Sequence, residues 1–282
     1  MTLNYGYAHL FLNWLCGLHL RGIAHDIRQT TIIIATDKDA FKLAKKLGFQ
    51  AVTTTWLSEE GIKVDTKAAR QFALGPHRWV VTLQIVYTFD LIHMGYNVIT
   101  QDADVIWLKD VRKYFENTFL DIEMVCDGRL DSIGPGNSGF IHLRSNCKTK
   151  IYMETIMHYI GLVISGRSDQ RVWNMILTSY DFRQMHFEML PPDKFFGGHQ
   201  WGNGRKRGDQ LSKDIWFMHA SWTLNHNGKI TKFEMLDYWF LNQTCQFYGM
   251  AKIPDSFEPA YYHLHQHRNW SWPDPNQKVW WK

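Results

Sequence analysis

The run Thr30-Thr-Ile-Ile-Ile-Ala35 narrows the possible folds of this chain more than any other stretch. It is continuous, apolar and β-branched, so a strand made from it must be covered on both faces. Helical patterns lie on either side. Upstream, Leu10, Phe11, Trp14, Leu15 and Leu18 fall on one face of a helix, and Gly22 is placed to stop it. Downstream, Asp37 or Asp39 can cap a helix that runs to Leu47 and ends at Gly48, and Gln50 to Thr54 reads as the next strand. Thr2 to Tyr7 reads as the end of a first strand entering a turn. Strand–helix–strand–helix–strand is the order of a parallel sheet with helices over it. The expected fold class is therefore α/β: a Rossmann-like, mainly parallel central sheet flanked by helices, with a less regular C-terminal third.

An apolar strand from Asn97 runs into Asp102 and Asp104, separated by one small residue. Alternate residues of an extended chain share a face, so the two carboxylates point the same way and repel unless a cation sits between them. Hard oxygen ligands at this spacing suit Mg²⁺ or Mn²⁺, which commonly bind substrate phosphates. The competing reading is a solvated acidic turn. Open parallel sheets take ligands beyond the carboxyl ends of their strands. Both the Asn4-to-Tyr7 turn and the acid pair fall at such ends, as does His219, which closes the strand Ile215 to His219.

Elsewhere, Thr66 to Phe72 and Trp79 to His93 read as helices, and Glu123 to Asp127 and Ile141 to Leu143 as strands. Between those strands, the glycines and proline of Gly134-Pro-Gly-Asn-Ser-Gly-Phe140 predict a turn that brings backbone close to something. Lys148 to Ile164 reads as a helix, and a new one opens at Asp169, whose acid suits a helix start. Leu190 to Gly208 is a glycine-rich, basic and aromatic loop of the kind that forms lids or binding loops or is disordered. Asn225 to Ile230 reads as a turn carrying Lys229, and Lys232 to Leu241 as a short helix.

Several classes are disfavoured. A net charge of +4, with acids and bases mixed, argues against a nucleic-acid binder. Cys16, Cys126, Cys147 and Cys245 include no C-x-x-C pair, so zinc is not expected, and their spacing is too wide to read a disulfide framework. No apolar run reaches ~18 residues, so no transmembrane segment is expected, and the N-terminus does not read as a signal peptide. The sequons at Asn242 and Asn269 would matter only in a secretory compartment. The chain reads as soluble, either cytoplasmic or a lumenal Golgi domain. The 13 Trp, 12 Tyr and 17 Phe supply ring faces that can stack on sugars or bases, although most belong to the core. His263, His265 and His267 would share a strand face, but they lack a further ligand motif.

Taken in order, these blocks resemble the nucleotide-diphospho-sugar transferases of glycosyltransferase family 77, a retaining family. The blocks are Thr2-Leu-Asn4 with Tyr7 and Trp14, Gly95-Tyr-Asn-Val with Gln-Asp102-Ala-Asp104-Val-Ile-Trp, Asn137-Ser-Gly-Phe140, Asp169-Gln170 with Asn174, and His219-Ala-Ser-Trp with Lys229. The resemblance implies a GT-A fold, a UDP-sugar donor and a glycan or glycoprotein acceptor. It implies Asp102, Asp104 and His219 around Mn²⁺ (or Mg²⁺), and Thr2, Asn4 and Tyr7 around the nucleoside. Asp102 would also face the ribose. Asn137, Ser138 and Gly139 would line the sugar, Asp169 and Gln170 would lie near the anomeric carbon and acceptor, and Lys229 would neutralise the leaving diphosphate. Where family members often carry a lysine before the Gly95 block this chain has Gln84, so one phosphate contact is either missing or replaced by Arg70. Residues 1–282 would form a single domain. Within it, 1–110 is the nucleotide-binding half, 111–241 the sugar and acceptor half, and 242–282 an aromatic, histidine-rich tail.

The chemistry agrees with that assignment. A departing diphosphate needs countercharge, which a metal and a lysine provide. Two other readings remain open. A haloacid-dehalogenase-like phosphohydrolase also uses Asp-x-Asp after an apolar strand, usually near the N-terminus, with a later acidic pair that this chain lacks. A non-catalytic sugar-binding module on the same fold would have no need of three metal ligands.

Overall fold

The computed structural model describes residues 1–53, 77–128, 135–202, 211–223 and 226–242. The expected helix over 66–72, Arg70, the basic end of the long loop, Asn225, Cys245, most of the two sequons and His263, His265 and His267 lie outside those residues.

Strand β1 (Thr2–Leu3) passes through a short 3₁₀ turn at Tyr5–Tyr7 into α1 (Ala8–Leu20), and Gly22 follows with a positive φ of 71°. A short helix α2 (Ala24–Thr30) then leads into β2 (Ile32–Ala35); the apolar run from Thr30 had concealed its end. Asp37 caps α3 (Lys38–Lys46) by accepting from the backbone N–H groups of Asp39 and Ala40, which satisfies donors that a helix start leaves unpaired. Its other oxygen accepts from Tyr5 N at 2.8 Å, so the same carboxylate also fixes the turn after β1. Strand β3 (Gln50–Thr53) completes an all-parallel sheet in the order β1-β2-β3.

Helix α4 (His77–His93) leads to β4 (Val98–Gln101), and β5 (Val105–Trp107) follows after three residues. After α5 (Arg112–Phe115) come β6 (Ile122–Cys126) and β7 (Gly136–Leu143). Helices α6 (Cys147–His158), α7 (Ile160–Ile164) and α8 (Asp169–Leu177) precede β8 (Phe187–Leu190) and β9 (Phe195–Phe196). The described part closes with β10 (Phe217–His219) and α9 (His226–Met235). A four-stranded sheet runs β4-β7-β6-β8, and a three-stranded one β5-β10-β9. Four of the seven described strand pairings are parallel, as expected of a mainly parallel α/β fold. Helix α1 covers one face, with Trp14 packed 5.8 Å edge-on to Trp107. Phe140, Phe195 and Phe217 pack tilted against one another in the core, Phe140 and Phe217 with centroids 4.3 Å apart.

Three local expectations are corrected. Of the turn expected over Gly134 to Phe140, Gly134 lies outside the described residues, and Gly136 to Phe140 is instead the buried beginning of β7, hydrogen-bonded between β4 and β6. Gly136 and Gly139 make room there for neighbouring side chains, Met124 and Asn174 at the first and His219 and Asp102 at the second. Lys229 sits inside helix α9, not in a turn. The Asn-Gly signal is overridden by the burial of Phe233 and by the ion pair of Lys229, which bring one helix face down onto the strand ends. The loop from Leu190 contains a buried strand, β9, which pairs parallel with β10. Among the described residues no helix is long and apolar enough to cross a membrane. Cys16, within α1, is disulfide-bonded, and Cys126 and Cys147 are free thiols.

Candidate active site

The short step from β4 to β5 places Asp102 and Asp104. The N–H of Asp102 donates to Gly139 O on β7 at 2.9 Å, and Asp104 O accepts from Ala220 N at 3.0 Å. Pairing of β5 with β10 sets His219 opposite Val105, so its ring falls beside the carboxylate of the preceding residue. His219 Nε2 is 3.4 Å from Asp104 Oδ1 and 3.7 Å from Asp102 Oδ2. Ligand atoms of these three residues lie within 4.8 Å of one another.

The charges here are uneven. Lys229 Nζ pairs with Asp104 Oδ2 at 2.9 Å. Burial alone would raise the Asp104 carboxyl, but Lys229 and His219 outweigh it and hold this acid well below the ordinary carboxylate range. Burial would likewise lower Lys229, but the Asp104 charge wins and the ammonium is pushed up to about 12. Asp102 moves the other way, to about 6, because its carboxyl is desolvated and repelled by Asp104. Two carboxylates and one lysine leave the cluster short of positive charge, which a divalent cation would supply.

Space tests the same idea. A Cβ on Gly139 would meet His219 Cε1 at 2.1 Å and Asp102 Oδ2 at 2.8 Å, so only glycine leaves this corner open. Two carboxylate oxygens and an imidazole nitrogen form a donor set that suits Mn²⁺ or Mg²⁺. The residues present therefore fit the ion.

Tyr7 borders this cluster: Lys229 Nζ lies 5.5 Å from its ring centroid, and the His226 ring is tilted against it with centroids 5.8 Å apart. Thr2 and Asn4 are buried at the end of β1, and the Thr2 hydroxyl has no hydrogen-bond partner among the described residues. Gln84 is not directed at the cluster; its amide donates to Thr100 Oγ1 at 2.9 Å inside the core.

A second cluster is built on Asp127, at the end of β6. Its Oδ1 accepts from Asn137 Nδ2 at 2.7 Å and from Trp222 Nε1 at 2.8 Å, and its Oδ2 from Gln170 Nε2 at 3.0 Å. A carboxylate only accepts, so Asp127 fixes which end of each amide faces it and leaves Gln170 Oε1 at the other end. Asn137 Oδ1 in turn accepts from Gly139 N at 2.9 Å, which links the two clusters. Ser138, between them on β7, is buried. Asn174 clamps Gly136 from helix α8, taking its N–H at 3.0 Å and donating to its carbonyl at 2.7 Å. Asp169 is buried in the first turn of α8, where Ser168 occupies the cap position without a side-chain bond. Its charge is felt at Asp102 and at His77, the first residue of α4, whose imidazole burial pushes down. Sequence reading assigned no role to Asp127, Trp222 or His77. An acid closing the strand Glu123 to Asp127 was a signal for the first, since Asp102 follows its strand in the same way, and Trp222 stood in the His219-Ala-Ser-Trp block without a role.

The sequence profile described as nucleotide-diphospho-sugar transferase matches residues 26–233. An uncharacterised protein of Arabidopsis thaliana is 35% identical over 100 residues, which is 34% of this chain and 29% of that protein. The chain thus spans less than a third of the length of this curated relative. Among solved structures, the glycosyltransferase GlyE of Streptococcus pneumoniae TIGR4 superposes with a TM-score of 0.48 at 12% identity, covering 91% of this chain and 64% of that one. An active-site mutant of LgtC gives 0.49 at 10% identity, covering 94% of both chains. Mouse xyloside xylosyltransferase 1 gives 0.40 at 12%, covering 68% of this chain and 83% of its own.

Proposed function

The chain belongs to the nucleotide-diphospho-sugar transferase family, and from that premise we propose that it is a metal-dependent, retaining glycosyltransferase of the GT-A type. It moves a sugar of the xylose, galactose or arabinose class from a UDP-sugar to a hydroxyl of a glycan or glycoprotein. The observation that carries this reading is the convergence of Asp102, Asp104 and His219 within 4.8 Å at the strand ends. Lys229 stands beside them.

Asp102, Asp104 and His219 would hold Mn²⁺ or Mg²⁺, whose chemistry is to neutralise the leaving diphosphate. Thr2, Asn4 and Tyr7 hold the nucleoside, with Asp102 at the ribose. Lys229 stays protonated at neutral pH and supplies a fixed positive charge to the same diphosphate. Asn137, Ser138 and Gly139 line the transferred sugar. The bond from the anomeric carbon to the diphosphate breaks, and its electron pair stays on the phosphate oxygen. The acceptor oxygen bonds to that carbon from the same face, and its proton passes to the leaving phosphate. Gln170, its amide fixed by Asp127, turns its oxygen toward the developing positive charge. Asp169 positions the acceptor.

A donor screen tests this. The protein is incubated with Mn²⁺ and a panel of UDP-, GDP- and dTDP-sugars, and released nucleotide is measured. Release from one UDP-sugar, abolished by EDTA, is expected. A protein that neither releases nucleotide nor binds UDP by calorimetry is not this enzyme; one that binds UDP without release is a binding module on the same fold.

A further inference from the structure

Trp222 is a large side chain in a place that ordinary packing does not explain. Its φ is +59°, a left-handed backbone that a bulky residue rarely adopts. It is also 50% exposed. The turn is held from several directions. Lys232 Nζ donates to the carbonyls of Ser221 and Trp222, and Thr223 Oγ1 to those of Ala220 and Ser221. Ser221 Oγ accepts from Gly198 N at 2.8 Å, and a Cβ on Gly198 would meet Ser221 O at 2.1 Å. Strain that its surroundings over-determine in this way marks functional sites.

What the turn achieves is an orientation. The indole N–H is aimed inward at Asp127, at 2.8 Å, while half of the residue's surface stays exposed. The carboxylate that receives it also receives Gln170 and Asn137. A molecule seated on this ring would therefore lie one hydrogen-bonded carboxylate from the proposed transfer centre. Three residues earlier in the chain, His219 is 2% exposed. The run from His219 to Trp222 thus goes from the buried donor end of the site to its rim. An exposed indole has an electron-rich face that attracts the polarised C–H groups of a sugar ring.

We propose that Trp222 is the platform on which the acceptor sugar docks, with Asp127 coupling that platform to Gln170. The inference rests on the glycosyltransferase reading above and extends it to the acceptor.

The test uses the full chain with Mg²⁺ and UDP, and saturation-transfer NMR with the methyl glycosides of galactose, glucose, xylose and arabinose. At least one glycoside is expected to bind through its ring protons. Trp222→Gly, which suits the positive φ, should weaken that binding by roughly tenfold or more, and Trp222→Phe should stay within about threefold of wild type. Both variants lose the indole N–H, so the difference between them isolates the ring. UDP affinity by calorimetry should hold in both. Addition of the matching UDP-sugar should leave the glycoside bound; displacement would put the ring at the donor sugar and overturn the acceptor assignment. Equal binding in Trp222→Gly and wild type, equal loss in Gly and Phe, or no glycoside bound by a protein that does bind UDP would each overturn the platform. Failure to bind UDP at all would instead overturn the glycosyltransferase reading beneath it.

Discussion

The two carboxylate clusters of the site manage charge in opposite ways. Around Asp104 lie a charged ammonium, Lys229 at 2.9 Å, an imidazole nitrogen of His219 at 3.4 Å, and a second carboxylate, Asp102, in the same small space. Around Asp127 the partners are neutral N–H donors, from Asn137, Gln170 and Trp222. The first cluster is short of positive charge, as the proposed cation site requires. The second is complete as it stands and holds three side chains in place before any ligand arrives, the arrangement that stabilises developing charge without reorganisation. One should respond to metal and pH, the other to side-chain geometry.

The sharpest way to break the comparison is at Asp104. Asp104→Ala should abolish metal-dependent UDP binding and transfer while the fold survives. Metal and charge stabilisation supply several kcal/mol, and at about 1.4 kcal/mol per factor of ten the rate should fall at least ~10³-fold. Unchanged turnover would sink the metal assignment. Gly139→Ala attacks the same cluster through space rather than charge. The added Cβ falls 2.1 Å from a His219 ring that is 2% exposed and has little room to move. Mn²⁺-dependent UDP affinity, read by calorimetry, should drop by about tenfold or more with the circular dichroism spectrum retained. Normal affinity would mean that this corner is not used.

The neutral cluster should fail differently. Gln170→Ala removes an amide tied to Asp127 and should lower kcat on the order of 10²-fold with nearly normal donor affinity. A pure binding defect would contradict the proposed role. Parallel assays of Asp104→Ala and Gln170→Ala with EDTA and Mn²⁺ would show whether metal dependence belongs to the first cluster alone.

What the sequence disclosed follows the same division. The grouping of Asp102, Asp104 and His219 was legible because the acid pair follows one apolar strand and His219 closes another, and strand ends are where such sheets bind ligands. The β1-β2-β3 sheet was legible from periodicity and from Asp37 as a cap. The Asp127 cluster was not, because its bonds join residues 10, 43 and 95 positions apart and no local pattern records them. Asn137 to Phe140 read as a turn because glycine density signals both chain reversal and close approach. Here close approach to His219 is the operative cause. Lys229 read as a turn residue for a similar reason: Asn-Gly is a strong local signal, and an ion pair with a residue 125 positions away is invisible to it.

The smallest effect bears on Asp102 and fixes the sign of the charge imbalance. Its carboxyl, desolvated and repelled by Asp104, is raised to about 6 in the folded protein from an ordinary value of 3.8. The folded state therefore keeps its proton longer than the unfolded chain, and this group adds stability as pH falls from about 6 toward 3.8. That contribution is lost as pH rises through about 6, where the repulsion is in full force. Asp102→Asn should then melt higher than wild type at pH 7 without metal, and the gap should close as the pH is lowered. With 40% of the side chain exposed, solvent screens much of this, and a difference of about 1–2 °C is expected. Saturating Mn²⁺ should reverse the order, because ligand binding stabilises only the protein that keeps the full ligand set. A variant that gained as much from Mn²⁺ as wild type would show that Asp102 is no ligand, and the cation would then rest on Asp104 and His219 alone.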